Sequence, residues 1–177
     1  MELLVRLCDR LSHACGMVAG LMMLVGLALI LVEIVIRTLF SMTLYITEEY
    51  TGYIMVAITF LALAYTLKEK GHIRMIFLHT VLKGRARVAL DIYAFAVGLA
   101  LSALITMTTF QFFWDSVVSQ SRSMQISETY LAIPQFFMPF GAFVLTLQFA
   151  AELGRSLLRL RTGVVGEEEV ESGALGR

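Results

Sequence analysis

Charged residues are missing from four long stretches, residues 14–32, 50–67, 92–114 and 129–151, which hold 19, 18, 23 and 23 residues. A helix needs about 20 apolar residues to cross a hydrocarbon core of about 30 Å. In lipid the backbone must satisfy its own hydrogen bonds, so continuous apolar runs of this length predict helices. A membrane β-barrel would instead show ten-residue segments of alternating polarity. The pattern therefore predicts an all-α membrane protein with four transmembrane helices, over about 14–36, 50–67, 88–114 and 130–152. The first run is too long for the apolar core of a signal peptide. No small-residue cleavage site follows it, and Glu33 and Arg37 continue its helical pattern, so it is expected to be retained.

Outside the spans the periodicity changes. In residues 1–13, Leu3, Leu4, Leu7 and Leu11 share a helical face against Arg6 and Arg10, predicting a short interfacial amphipathic helix before span one. Between spans two and three, Ile73, Ile76, Phe77, Thr80 and Val81 line one face, with His72, Arg74, His79 and Lys83 elsewhere. That segment is expected to lie along the membrane surface. Lys68, Lys70, Arg85 and Arg87 are its candidates for lipid headgroup contact. Residues 163–177 are glycine-rich and acidic, and are expected to form a disordered cytoplasmic tail after a membrane domain over 14–162.

Composition supports this reading, with 58% apolar residues among 177 and a mean hydropathy of +0.79. Fourteen basic and fourteen acidic side chains cancel, and no nucleic-acid-binding motif is present. Cys8 and Cys15 would lie about 10 Å apart along a helix, beyond disulfide reach, and read as packing residues. Twelve of the fourteen cations fall at the two termini and between spans two and three; Arg37 and Arg122 are the other two. The positive-inside rule then predicts both termini and the central loop in the cytoplasm, with Trp114 at the outer interface.

Few residues within or beside the spans carry candidate chemistry. Glu33 and Arg37 are spaced i, i+4 and are expected to pair on one face of span one. Thr47, Glu48 and Glu49 are expected to open span two, with threonine as the N-cap and the acids on the helix dipole. Ser127, Glu128 and Thr129 are expected to open span four in the same way. An alternative for Glu48 and Glu49 is that both dock on a basic patch of another protein. Gly16 and Gly20, and Ala94, Gly98 and Ser102, give small-residue faces for close helix approach. Pro134 falls in the first turn of span four, and Pro139, further in, is expected to kink that helix. His13, His72 and His79 all lie outside the apolar runs, so neither a haem nor a zinc site is expected, and no cofactor or metal is predicted. No nucleophile–base pair or phosphate-binding loop appears, so an enzyme is not expected. A self-sufficient transporter would place polar groups at mid-membrane. The middle of each span offers only hydroxyls and a few methionines, with Gln111 and Gln148 near span ends, which reads as a scaffold for a larger partner.

The run from Glu48 to Leu82 resembles the small membrane subunit of TRAP transporters, the DctQ-like family. Its acidic pair Glu48 and Glu49 opens the second helix, which ends in a charged cluster followed by His72, Ile73 and Arg74. Arg37 matches the arginine at the end of that family's first helix, and Pro134, Pro139 and Gly141 match the prolines and Pro-x-Gly step of its last. Tyr45 stands where the family often has tryptophan. The resemblance implies a small permease subunit of the bacterial inner membrane that braces a large membrane subunit. That large subunit would carry the sites for ion-gradient-driven, usually sodium-driven, uptake of an organic acid such as a dicarboxylate or sugar acid. A periplasmic binding protein would deliver the substrate. Arg37, Glu48, Glu49, His72, Arg74, Pro134, Pro139 and Gly141 are the partner-contact candidates it implies. The alternatives are a small proton-coupled multidrug-type exporter acting as a homodimer through Glu33, and a membrane anchor for a respiratory enzyme.

Overall fold

The computed structural model describes the backbone of residues 2–69 and 85–162, with side chains over 6–69 and 89–158. The expected surface-lying loop with Lys70, His72 and Arg74, and the expected tail over 163–177, lie outside the described residues. Five helices follow in order: α1 Glu2–Phe40, α2 Tyr45–Lys68, α3 Arg85–Val118, the single turn α4 Ala132–Gln135, and α5 Phe137–Thr162. Four stretches are long and apolar enough to cross a membrane: Arg6–Phe40, Tyr45–Lys68, Ala89–Val118 and Ala132–Leu158, the last combining α4 and α5. The four expected spans all appear; the first two are longer at both ends, and the last two start at Ala89 and Ala132 and run past their expected ends to Val118 and Leu158.

Helix α1 differs most from expectation. Its 39 residues run without interruption through residues 2–13 into the span, giving a rod about 58 Å long. The leucine-rich start is thus the first turns of the same helix, because no proline or glycine falls between residues 2 and 15 to separate it from the span. α1 ends at Ser41, whose φ of 54° is the left-handed conformation that usually falls to glycine at a helix end. Four residues later α2 begins.

α5 is the central helix. It packs against α1, α2 and α3, while α3 contacts α5 and α4 and no substantial α3 contact with α1 or α2 occurs among the described residues. Buried residues make up 39% of the most apolar window of the α4–α5 span, against 11% for α1 and α3. The remaining faces of α1 and α3, carrying Leu21, Leu24, Leu31, Val35, Leu104 and Met107, are exposed and match an apolar surrounding. α1 and α2 run antiparallel, with Gly16 against Tyr65 and Gly26 against Ile54. Cys15, Ala19, Leu61, Ala64, Leu67, Phe95, Val144 and Leu145 form the core. Small residues recur at these contacts because apolar helices in lipid gain from close van der Waals approach.

Three glycines set that approach. A Cβ at Gly16 would overlap the Tyr65 ring, one at Gly98 the Phe149 ring, and one at Gly141 the backbone carbonyl of Phe60. Gly20 meets nothing, so the expected Gly16–Gly20 face is split: Gly16 packs inside the bundle and Gly20 faces out. The Pro139 expectation also changes. The helix breaks for one residue at Phe136, so Pro139 sits in the first turn of α5, where its missing N–H breaks no intrahelical bond. Phe140 N–H to Phe136 O, at 3.3 Å, carries the chain across the break.

Gly141→Ala should cost about 1–3 kcal/mol, because its Cβ meets backbone that cannot rotate away. Gly20→Ala should leave stability unchanged. Thermal denaturation of the detergent-purified chain checks both, and equal midpoints for the two variants would contradict this packing.

Candidate functional site

Polar side chains gather at the two ends of the bundle. The terminal end holds the first turns of α1 and the last of α5; the hairpin end holds the α1–α2 turn and the α3–α4 loop.

At the hairpin end, Glu33 does not pair with Arg37. Its carboxylate accepts the Leu44 N–H at 3.0 Å and the Thr47 hydroxyl at 3.3 Å. The reason is geometric. α2 starts at Tyr45 with Leu44 as its N-cap and no side-chain cap from the chain beside it, so an orphan N–H at the helix start faces α1. Glu33 supplies the missing acceptor from across the turn. Thr47 is thus a buried first-turn residue bound to Glu33, where the sequence pattern placed an N-cap. Arg37 is exposed near the end of α1, without an ion pair among the described residues.

The acidic pair of α2 divides. Glu49 is buried and Glu48 exposed. Glu49 accepts the Tyr53 hydroxyl at 2.6 Å and the hydroxyl of Ser127 from the α3–α4 loop. Ser127 is 2.8 Å from Thr129 Oγ1. The expected capping of span four by Ser127 and Thr129 is therefore replaced by a tie onto α2. Leu131 is the N-cap of α4 and has no side-chain cap bond. The loop is closed further by an antiparallel bridge between Arg122 and Tyr130 and by the Tyr130 hydroxyl on Val117 O at 3.2 Å. Glu128 adopts φ 44° and lies 3.8 Å from Arg122, both exposed. A buried carboxylate holding two hydroxyls ties this loop to the start of α2, while Glu48 is exposed.

The terminal end carries a cluster that the sequence pattern did not single out. Gln148 is fully buried on α5; it accepts the Ser12 hydroxyl at 2.8 Å and donates to Asp9 at 3.1 Å. Arg155 is ion-paired to Asp9, and to Glu152 at 2.6 Å. Asp9 and Ser12 lie three apart on α1, and Gln148, Glu152 and Arg155 four and three apart on α5. Each set is one helical face. Those two matching faces were the available signal. Among the surface candidates, Lys68 sits 3.5 Å from Glu69, and Arg85 and Arg87 open α3.

Between these ends the hydroxyls turn back onto their own helices. Thr59, Thr66, Thr106, Thr109 and Thr146 each donate to the carbonyl four residues earlier. Thr106 and Thr146, 3.0 Å apart, are the hydroxyl pair that joins α3 to α5. Among the described residues, the Thr51 hydroxyl and the Gln135 side-chain oxygen are buried without a hydrogen-bond partner. His72, Arg74 and Lys70 fall outside the described residues, Pro134 lies in α4, and Gly141 sits against α2.

The fold defines a multi-pass helical membrane protein. The family model for tripartite ATP-independent periplasmic transporters, DctQ component, matches residues 26–159. The chain belongs to that family, a transporter component family. No curated protein and no solved structure matches it.

Glu49→Ala should free the loop over residues 119–131, raising its amide hydrogen exchange several-fold, whereas Glu48→Ala should leave that exchange unchanged. Gln148→Leu strands the buried Ser12 hydroxyl and one Asp9 oxygen, and should cost about 1–3 kcal/mol in a denaturation of the same chain.

Proposed function

We propose that this chain is the small permease subunit of a three-part secondary transporter, bracing a large multi-span subunit that carries substrate and ion. The membership in the DctQ family carries this reading. The emptiness of the spans supports it: no charged residue falls within residues 14–32, 50–67, 92–114 or 129–151, and Thr59, Thr66, Thr106, Thr109 and Thr146 bond their own backbone carbonyls. A transport pathway needs groups that bind cargo or protons at depth. A brace needs rigid apolar helices with polar groups confined to the ends.

In this reading the protein lies in the bacterial inner membrane with both termini cytoplasmic, as twelve of its fourteen cations favour. The hairpin end then faces the periplasm, where a binding protein delivers an organic acid, and the gradient that drives uptake is one of sodium. Large apolar faces on α1 and α3 offer the area for a partner's helices, and Glu48 and Arg37 offer exposed charges at their rim. The exporter reading is weakened by Glu33, whose carboxylate is occupied by the α1–α2 turn.

Co-expression with the large subunit tests the reading. The chain should co-purify with it in detergent, and Glu48→Lys should reduce the recovered complex several-fold while membrane insertion stays intact. A large subunit purified in the same yield with and without this chain bound would overturn the brace; full recovery with Glu48→Lys would remove Glu48 from the interface.

A further inference from the structure

A groove of ≈ 390 Å³ runs between α3 and the α4–α5 break, walled by Phe110, Phe113, Phe136, Phe140 and Phe143 together with Met107. At the helix break the Phe136 ring packs between the two walls, 6.0 Å from Phe113 on α3 and 5.7 Å from Phe140 on α5. We propose that this groove holds one acyl chain of a phospholipid, with the phosphate at the level of Trp114 and Arg122.

Three features favour a lipid chain over a partner's helix. Helices in lipid approach one another on small residues, and the groove walls carry large aromatic rings that hold a second backbone away. Its one polar lining side chain, Thr106, is already bound to Ser102 O and to Thr146, so nothing polar remains to bond a helix or a polar ligand. A flexible methylene chain fits irregular aromatic walls without needing either.

The headgroup level follows from topology. Both walls of the groove end in the loop between Val118 and Ala132. Trp114 stacks on the groove residue Phe110, with centroids 6.3 Å apart and planes 17° from parallel. That places an indole, favoured at the interface, at the groove mouth. Arg122 on the loop is 67% exposed and only 3.8 Å from an equally exposed Glu128. Such a solvated pair is weak, and the guanidinium can exchange it for a phosphate. The positive charge complements a phosphodiester, and the aromatic groove complements its tail.

Trp114 is the sole tryptophan of the chain, which makes the test direct. The full-length chain in dodecyl maltoside is titrated with dioleoyl phosphatidylglycerol and with its chain-brominated form, and indole fluorescence is read. The expected result is quenching that saturates at one brominated lipid per chain and is reversed by the unbrominated lipid. Thr106→Phe, which fills the groove, should abolish the saturable phase. Arg122→Gln, an exposed loop change that spares the fold, should weaken it about fivefold. Quenching that rises linearly with the micelle's lipid fraction, unaltered by either variant, would overturn the proposal. So would loss of the bound lipid once the large subunit is added, because a partner's helix would then be the occupant.

Discussion

The structure depends on one constraint: within an apolar bundle there is no water to satisfy a polar group, so a buried one is stabilised by a partner in the protein; among the described residues the Thr51 hydroxyl and the Gln135 side-chain oxygen are buried without one. The chain meets this by moving almost every such group to one of two ends. At one, Gln148 gathers Ser12 and Asp9, and Arg155 closes the cluster. At the other, Glu33 completes the start of α2 and Glu49 holds the loop that leads into α4. Between them lie alanine, glycine and aliphatic contacts, and hydroxyls folded onto their own carbonyls.

These two ends do different mechanical work. The Gln148 cluster clamps the first turns of α1 to the last turns of α5, joining the two ends of the described chain. The Glu33 and Glu49 bonds fix the turn and the loop opposite. With α5 packed against the other three spans, the bundle is tied at both ends and along its axis, in keeping with the proposed bracing role. The close contacts at Gly16, Gly98 and Gly141 serve the same rigidity, since each lets a neighbouring ring or backbone sit against the helix.

The four helices were legible in the sequence because a missing charge is a local signal, readable along one strand of text. So was the family, through the order of Glu48, Glu49 and the proline steps. The partners of polar groups were not. Glu33 and Arg37 are ideally spaced for a pair, yet the carboxylate is taken by an N–H eleven residues away that has no other acceptor. Ser127 and Thr129 read as caps for the next helix, but a buried acid on α2 competes for them more strongly. The split between Glu48 and Glu49 follows from helical rotation against the loop, which adjacency in sequence hides. Gln148 looked like a span-end residue and proved to be fully buried, because the face it meets on α1 belongs to a helix that begins earlier than its apolar run.

In the proposed role the chain braces the transporter and leaves substrate and ion to a larger subunit. Reconstitution into liposomes measures this most directly. Under an imposed sodium gradient, with the binding protein and its organic acid outside, the chain alone should give no uptake, and the chain together with the large subunit should give uptake that requires both. Uptake by this chain alone would contradict the account.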